Sequence, residues 1–209
     1  MTAVEVTQAL TGFEERLRGL GVPVVDRLRP GLTQQQVDQI SAEFGVRLSQ
    51  DAAALWMWHD GDRLNYEDDW RVPSLTPYKA FCGLRSSLQR SAHQHELTWD
   101  EEAFDDPVLG GADSIYLTSM FDRQYVMLFH NDSPVVMDCR DPDAPNSPTG
   151  SYGVVGGLGA TISLTERIGW WHWALDNGYW IPTADGAWDV DHTRAPGQLI
   201  GLHVRDNAE

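Results

Sequence analysis

Apolar residues recur every three or four positions along the first sixty residues of the chain, which is the spacing of an amphipathic helix. The pattern predicts a first helix over residues 4–20, ended by the glycines and the proline that follow it. It also predicts a pair of short helices over residues 33–60. The apolar face of the first helix consists of Val6, Leu10, Phe13, Leu17 and Leu20.

The two short helices carry sequence signals for their ends. Thr33 can cap the first helix, because Gln36 stands three residues later as in a capping box, and Gly45 suits its C-terminus. Ser49 opens the second helix, and Gly61 closes it because glycine readily adopts the left-handed conformation. The apolar residues of the pair are Val37, Ile40, Phe44, Leu55, Trp56 and Trp58.

The middle of the chain predicts a short strand followed by a further helix. Residues 71–75 are compatible with an edge strand, because Pro73 is tolerated only at a sheet edge. Thr76-Pro77 predicts a helix start, since proline favours the first helical position. The apolar face of that helix would consist of Tyr78, Phe81, Leu84, Leu88 and Ala92.

The second half of the chain begins with strand-like segments that are rich in β-branched and aromatic residues. The predicted strands are residues 115–120, 125–130, 134–139 and 152–155, with a possible final strand at 198–204. Residues 131–133 would join two strands as a hairpin. A polar, proline-rich loop is expected over residues 141–150 and a flexible glycine-rich turn over residues 156–159.

The last strong helix begins at Ser163, which can form a capping box with Glu166, and ends at Asn177-Gly178. Adjacent residues of a helix point in different directions, so Trp170 and its neighbour Trp171 are not both expected to point inward. The core face of this helix is predicted to contain Ile168, Trp171 and Leu175.

Several of these signals together resemble the opening of the SUKH superfamily, the group related to the fungal Smi/Knr cell-wall regulators. The matching segments are Pro30-Gly31-Leu32-Thr33, Phe44-Gly45, Leu48-Ser49 and Trp56 to Gly61. Ser49 stands where the family usually has proline, and serine can also cap a helix. The serine-capped helix that follows the strands adds to the resemblance, which spans roughly residues 25–180.

The resemblance and the element order together predict an α+β fold, because helices flank a consecutive run of strands. We expect N-terminal helices, a central, mostly antiparallel sheet and a C-terminal Trp-rich helix, in a single SUKH-like domain over residues 1–209. The N-terminal helix would occupy residues 1–24, the family-like core residues 25–180 and a C-terminal extension residues 181–209. A chain of 209 residues also leaves room for two small domains.

The composition is that of a globular protein, with 42% hydrophobic and 10% aromatic residues. The chain contains no apolar run of about 18 residues that would predict a membrane span. Its first residues lack the basic start and apolar segment of a signal peptide. Cys82 and Cys139 are too few for a disulfide framework, so we interpret them as buried thiols in a reducing cytoplasm.

The charge is strongly acidic, with 31 acidic against 15 basic residues and a formal net charge of −16. Such a surface repels nucleic acid and anionic lipid, and it accelerates encounters with a basic protein. The alternative interpretation is that the charge serves only solubility.

Three groups of side chains could bind a metal ion, although none has the spacing of an established motif. The groups are His93 with His95; Asp189 with Asp191 and His192; and Asp138 with Asp141 and Asp143. The alternatives are a solvated helix end and ordinary polar turns. No catalytic constellation is visible, and the glycine-rich stretch before Ser163 lacks the lysine of a phosphate-binding loop. We therefore expect no cofactor and no enzyme activity.

Two acidic segments are the candidate partner-binding sites, because they combine negative charge with aromatic residues that often anchor interfaces. Their residues are Tyr66, Glu67, Asp68, Asp69, Trp70, Asp100, Glu101, Glu102, Asp105 and Asp106. The family resemblance implies a bacterial immunity protein that neutralises a basic toxin domain, often a nuclease. The alternatives are a regulatory or scaffolding protein of the Smi/Knr type and a metal-dependent enzyme.

Overall fold

A computed structural model of the chain confirms the predicted α+β class. The residues that it describes are 3–63, 74–77, 80–98, 121–130, 134–153, 157–183 and 187–194. Within these ranges the chain forms five α-helices and antiparallel strands. The helices and strands do not alternate regularly along the sequence. In this part of the chain no helix has both the length and the apolar character needed to cross a membrane.

The helices are α1 (Ala3–Gly19), α2 (Gln34–Glu43), α3 (Gln50–Trp58), α4 (Leu84–Thr98) and α5 (Leu164–Asp176). The predicted boundaries of α1, α2, α3 and α5 are confirmed to within a residue or two. Both capping boxes are present: Thr33 exchanges backbone and side-chain hydrogen bonds with Gln36, and Ser163 does so with Glu166. These ends form as predicted because a capping box depends only on residues three positions apart.

The strands are β1 (Leu28–Pro30), β2 (His59–Asp62), β3 (Ala80–Phe81), β4 (Tyr125–His130), β5 (Val135–Asp138), β6 (Pro148–Gly153), β7 (Gly157–Leu158), β8 (Ile162–Ser163), β9 (Trp180–Pro182) and β10 (Trp188–Val190). The main sheet has the strand order β3-β4-β5-β6-β7, and every described pairing in it is antiparallel. A short strand β8 also pairs with β6, while β1-β2 and β9-β10 form separate two-stranded sheets.

Both faces of the main sheet are covered. Val126 and Leu128 of β4 belong to the large core that includes the inner faces of α1, α3 and α5. Tyr125 and Met127, which alternate with them, belong to a second cluster around Phe121 on the opposite face, as the two-residue period of a strand requires. The apolar face of α1 is fully buried as far as Leu17, and burial of each such side chain stabilises the fold by about 1.5–3 kcal/mol.

The motif that resembles the SUKH opening is built around close backbone contacts. A Cβ atom on Gly31 would overlap the Met57 carbonyl at the end of α3, and one on Gly61 would overlap the backbone of Gly83. Gly61 also has a φ of +77°, which disfavours any other residue. Asp60 places its Oδ1 2.8 Å from the backbone nitrogen of Leu84 and so accepts a hydrogen bond at the start of α4.

Two local predictions in the middle of the chain are wrong where the structure describes them. Thr76-Pro77 does not begin a helix: Phe81 lies in β3, where it pairs with Phe129 of β4, and the helix begins at Leu84. Of the predicted edge strand at 71–75, Ser74 and Leu75 are described and are not in a strand. The proline signals are local, and the long-range pairing of β3 with β4 overrides them.

The loops around β6 are shorter than predicted. β6 begins at Pro148, within the predicted loop 141–150, and Gly157–Leu158 forms a strand in place of the predicted turn at 156–159. Tyr152 and Gly153 are in β6 as predicted. The strand at 125–130 is confirmed with its predicted bounds, and the strand at 134–139 is confirmed but is one residue shorter at each end. The predicted strands at 115–120 and 198–204 and the hairpin residues 131–133 lie outside the described residues.

Two predictions about side-chain direction are corrected. Trp170 and Trp171 are both buried, because α5 packs against the main core on one side and the β9-β10 segment covers a second side. Leu20 lies beyond the end of α1 and is 39% exposed, so the buried face of that helix ends at Leu17.

Candidate functional site

The predicted partner-binding residues all lie outside the described residues, in segments 64–73 and 99–120. Their sequence still shows where the acidity of the chain is concentrated. These two segments contain nine acidic residues and one basic residue, Arg71. The described residues contain 18 acidic and 12 basic residues, so they are much closer to electrical balance.

The candidate metal pair His93 and His95 is not brought together by the fold. His93 is exposed, whereas His95 is buried on the other side of α4. The Nδ1 atom of His95 lies 2.6 Å from the Phe121 carbonyl oxygen, and its Nε2 accepts a hydrogen bond from Arg123 Nε at 2.9 Å. The two histidines are two positions apart on a helix, so their rings point to different sides of it.

Internal hydrogen bonds occupy the group formed by Asp138, Asp141 and Asp143. Asp138 holds Arg140 through both carboxylate oxygens, and the Arg140 guanidinium lies 5.2 Å from the centre of the Tyr125 ring. Burial opposes ionisation of Asp138, but the hydrogen bonds from Arg140 outweigh burial and lower the pKa of this carboxyl group. Asp141 accepts a hydrogen bond from the Asp143 backbone, as in a polar turn.

The Asp189, Asp191 and His192 group also serves local structure. Asp191 accepts hydrogen bonds from the Thr193 hydroxyl at 2.6 Å and from Arg194 Nε at 2.9 Å. The hydrogen bond from Thr193 is the main reason why the pKa of Asp191 lies below its ordinary value. Asp189 Oδ1 accepts from the Val190 backbone. Throughout the described ranges, no three His, Cys, Asp or Glu side chains converge in a way that could hold a metal ion.

A buried polar cluster connects α3 to the sheet, and no sequence pattern predicted it. Asp51 is 2% exposed, and its Oδ1 accepts from Ser49 Oγ at 2.6 Å and from the Ala52 backbone at 2.9 Å. Ser147, just before β6, donates to the same carboxylate from its backbone at 2.7 Å and from its hydroxyl at 2.9 Å. Four donors satisfy this buried carboxylate, so the cluster links the start of α3 to the segment that precedes β6.

Both cysteines are internal, as predicted. Cys139 is 1% exposed, and burial raises the pKa of its thiol far above the ordinary range, so it is not an activated nucleophile. Cys82 is 9% exposed, and its carbonyl accepts a hydrogen bond from the Trp56 indole at 3.1 Å.

The described tryptophans provide no exposed aromatic anchor. Trp173 and Trp188 are half-buried, and the other five described tryptophans are buried. Trp173 stacks on Trp170 at a ring distance of 4.8 Å, and Trp188 donates to the Ser74 carbonyl at 2.8 Å. The remaining two, Trp70 and Trp99, belong to the acidic segments outside the described residues.

One open groove lies on the surface between α2 and α3. Its volume is about 460 Å³, and residues 45–48 form part of its wall. Its charged residues are Asp38 and Arg47, one of each sign, and Arg47 lies 3.7 Å from Asp143. The groove therefore lacks the concentrated negative charge that a basic partner would require.

Among known proteins, no family model matches this chain and no curated relative is found. The SUKH resemblance consequently stays a prediction that rests on the sequence motif.

Proposed function

We propose that the protein is a non-catalytic binding module that recognises a basic protein, and that it acts as an immunity protein against a toxin domain. The observation that carries this proposal is the concentration of charge: segments 64–73 and 99–120 contain nine acidic residues against one arginine. The other residues of the chain are nearer to balance, so much of the acidity is localised in these two segments.

The physics of such an inhibitor is simple. A nuclease must present a basic groove to the phosphates of its substrate. A protein that carries closely spaced carboxylates can occupy or cover this groove. Charge would accelerate the encounter and favour the correct partner, while Tyr66 and Trp70 would supply apolar contact area. Tight neutralisation requires a dissociation constant on the order of nanomolar, about −12 kcal/mol.

The described residues support a binding role over a chemical one. The groups that a reaction would use are occupied internally: Asp51 by four donors, Asp138 by Arg140 and His95 by Arg123. The deeply buried Cys139 thiol, with its raised pKa, argues in the same direction. The burial of both cysteines fits the cytoplasmic location that we propose for the protein.

The first experiment is capture of partners by the tagged protein from lysates of its own host and of competing strains, washed at low and then high salt. One small basic domain that is retained stoichiometrically and loses its toxicity when bound would support the proposal. Retention of several housekeeping or envelope-synthesis proteins would instead favour a regulatory role of the Smi/Knr type.

Charge reversal then assigns the surface. We expect Asp68→Lys with Asp69→Lys to weaken binding of the captured domain by about 100-fold, since charge pairs at an interface are worth about 1.5–7 kcal/mol. The matched control is Glu15→Lys with Glu96→Lys, which changes the net charge equally at two exposed positions on α1 and α4. Equal losses in the two variants would attribute binding to net charge alone, and full binding by the first variant would exclude segment 64–73.

A further inference from the structure

Three histidines of the described chain hydrogen-bond through the ring, and each has a different set of neighbours. The identity of those neighbours determines which ring nitrogens must carry a hydrogen, because a carbonyl or carboxylate oxygen only accepts while a guanidinium only donates. His59, His95 and His172 therefore differ in the protonation state that their surroundings require.

His59 lies between two acceptors. Its Nδ1 is 2.6 Å from the backbone oxygen of Arg29 in β1, and its Nε2 is 3.1 Å from Glu14 Oε2 in α1. The side chain is only 18% exposed, so water cannot readily replace either partner. Both nitrogens can bond simultaneously only if both carry a hydrogen, which makes the ring a cation in this arrangement.

The other two histidines provide the comparison. His95 donates to the Phe121 carbonyl but accepts from Arg123, so its arrangement requires the neutral ring. His172 of α5 has its Nε2 2.8 Å from the Ala9 carbonyl of α1, a contact that a neutral or a charged ring can make equally well. His59 and His172 thus both hold α1, and only the first requires a second ring hydrogen to do so.

The charges around His59 are mixed. Glu14 is the carboxylate in contact, and Arg18 binds its other oxygen at 2.8 Å. Trp58 adds a hydrogen bond to Glu14 at 3.2 Å. Burial opposes ionisation of Glu14, but its hydrogen bonds with His59, Arg18 and Trp58 outweigh burial and lower its pKa, so this partner stays negative at neutral pH.

The neighbouring strands and Arg27, the residue before β1, contribute two carboxylates and two guanidinium groups. In β2, Asp60 accepts from the Leu84 backbone, and Asp62 pairs with Arg27 at 3.4 Å. The Arg29 side chain lies beside Gly83, away from the contact that its carbonyl makes with His59. These groups are engaged elsewhere, so Glu14 is the carboxylate that the ring addresses directly.

We propose that His59 and Glu14 form a proton-dependent latch that fastens the N-terminal helix to β1 and β2. With the second ring hydrogen in place, the ring bridges α1 and β1. When that hydrogen is lost, a lone pair faces an oxygen, and one of the two contacts becomes repulsive. The hold on α1 therefore weakens when rising pH removes that hydrogen.

The latch is tested directly by nitrogen-15 NMR of the ring in the intact protein at pH 5.5. We expect the His59 spectrum to show hydrogen on both ring nitrogens and the His95 spectrum to show hydrogen on one. A His59 ring with a single hydrogen at pH 5.5, in a protein that is folded, would overturn the proposal. This readout uses the natural chain and does not depend on any variant folding.

A double-mutant cycle then measures the strength of the latch. Unfolding of the natural chain, His59→Gln, Glu14→Gln and the double variant is followed at pH 5.5 and 8.5. We expect the coupling between the two residues to change the folding equilibrium constant about tenfold at pH 5.5 and less than twofold at pH 8.5. His172→Gln is the matched control, and we expect it to change the stability of the protein by the same amount at both pH values. A coupling that does not change with pH would contradict a proton-dependent latch.

Discussion

The motif at residues 28–61 and the acidic segments at 64–73 and 99–120 differ in what their residues do. In the motif, the distinctive residues serve the fold: Gly31 and Gly61 permit close backbone contact, Asp60 caps α4, and Ser49 joins a buried cluster. The acidic segments are distinctive only in charge and aromatic content. The features that suggest a family are thus not the features that would select a partner, which is why the motif predicts a fold better than an activity.

The largest expected effect of a single substitution is at Gly61. Gly61→Ala places a Cβ against the backbone of Gly83 and forces alanine to a φ of +77°, so we expect a loss of about 3–5 kcal/mol in the free energy of unfolding. Chemical denaturation measures it. Gly45→Ala is the matched control, because Gly45 has a similar φ of +67° with open space around it. It should cost only about 1–2 kcal/mol, and equal losses would show that the contact with Gly83 is unimportant.

The second-largest expected loss of stability is at the buried cluster that joins the motif to the sheet. Asp51→Ala removes the carboxylate that accepts hydrogen bonds from Ser49, Ala52 and Ser147. Because these buried donors lose their acceptor, we expect the free energy of unfolding to fall by about 2–4 kcal/mol. Asp38→Ala removes an exposed carboxylate that accepts from Gln34 and should change stability by less than about 0.5 kcal/mol. A loss at Asp51 no larger than that at Asp38 would mean that the cluster does not hold α3 to the sheet.

The sequence predicts those parts of the fold that depend on near neighbours. The caps at Thr33 and Ser163 and the buried face of α1 as far as Leu17 follow from residues three or four positions apart, and these are confirmed. The failures have long-range causes. Thr76-Pro77 has the local form of a helix start, but Phe81, which was predicted to lie in that helix, forms a strand that pairs with Phe129. The two residues are 48 positions apart, so a rule based on near neighbours cannot predict their pairing. Trp170 is buried by a segment that follows the helix.

The buried polar contacts were beyond prediction for the same reason. Asp51 and Ser147 are 96 positions apart, and nothing in either neighbourhood marks them as partners. His59 and Glu14 are separated by 45 positions, and the contact depends on how α1 packs against the motif. The predicted binding residues, such as Asp68 and Asp100, belong to the acidic segments and remain predictions from charge density.

The smallest expected effect on stability is in the acidic segments, and it completes the comparison with the motif. Our proposal assigns Asp68 and Asp69 to a partner and not to the fold. Asp68→Lys with Asp69→Lys should therefore change the free energy of unfolding by less than about 0.5 kcal/mol, the size of effect that is usual for surface substitutions. The relief of like-charge repulsion in a chain with a net charge of −16 even favours a slight gain. Thermal and chemical unfolding at low salt measure the change. A loss comparable to that of Asp51→Ala would mean that these carboxylates hold the fold together, and the division between residues that build the protein and residues available for a partner would fail at this segment.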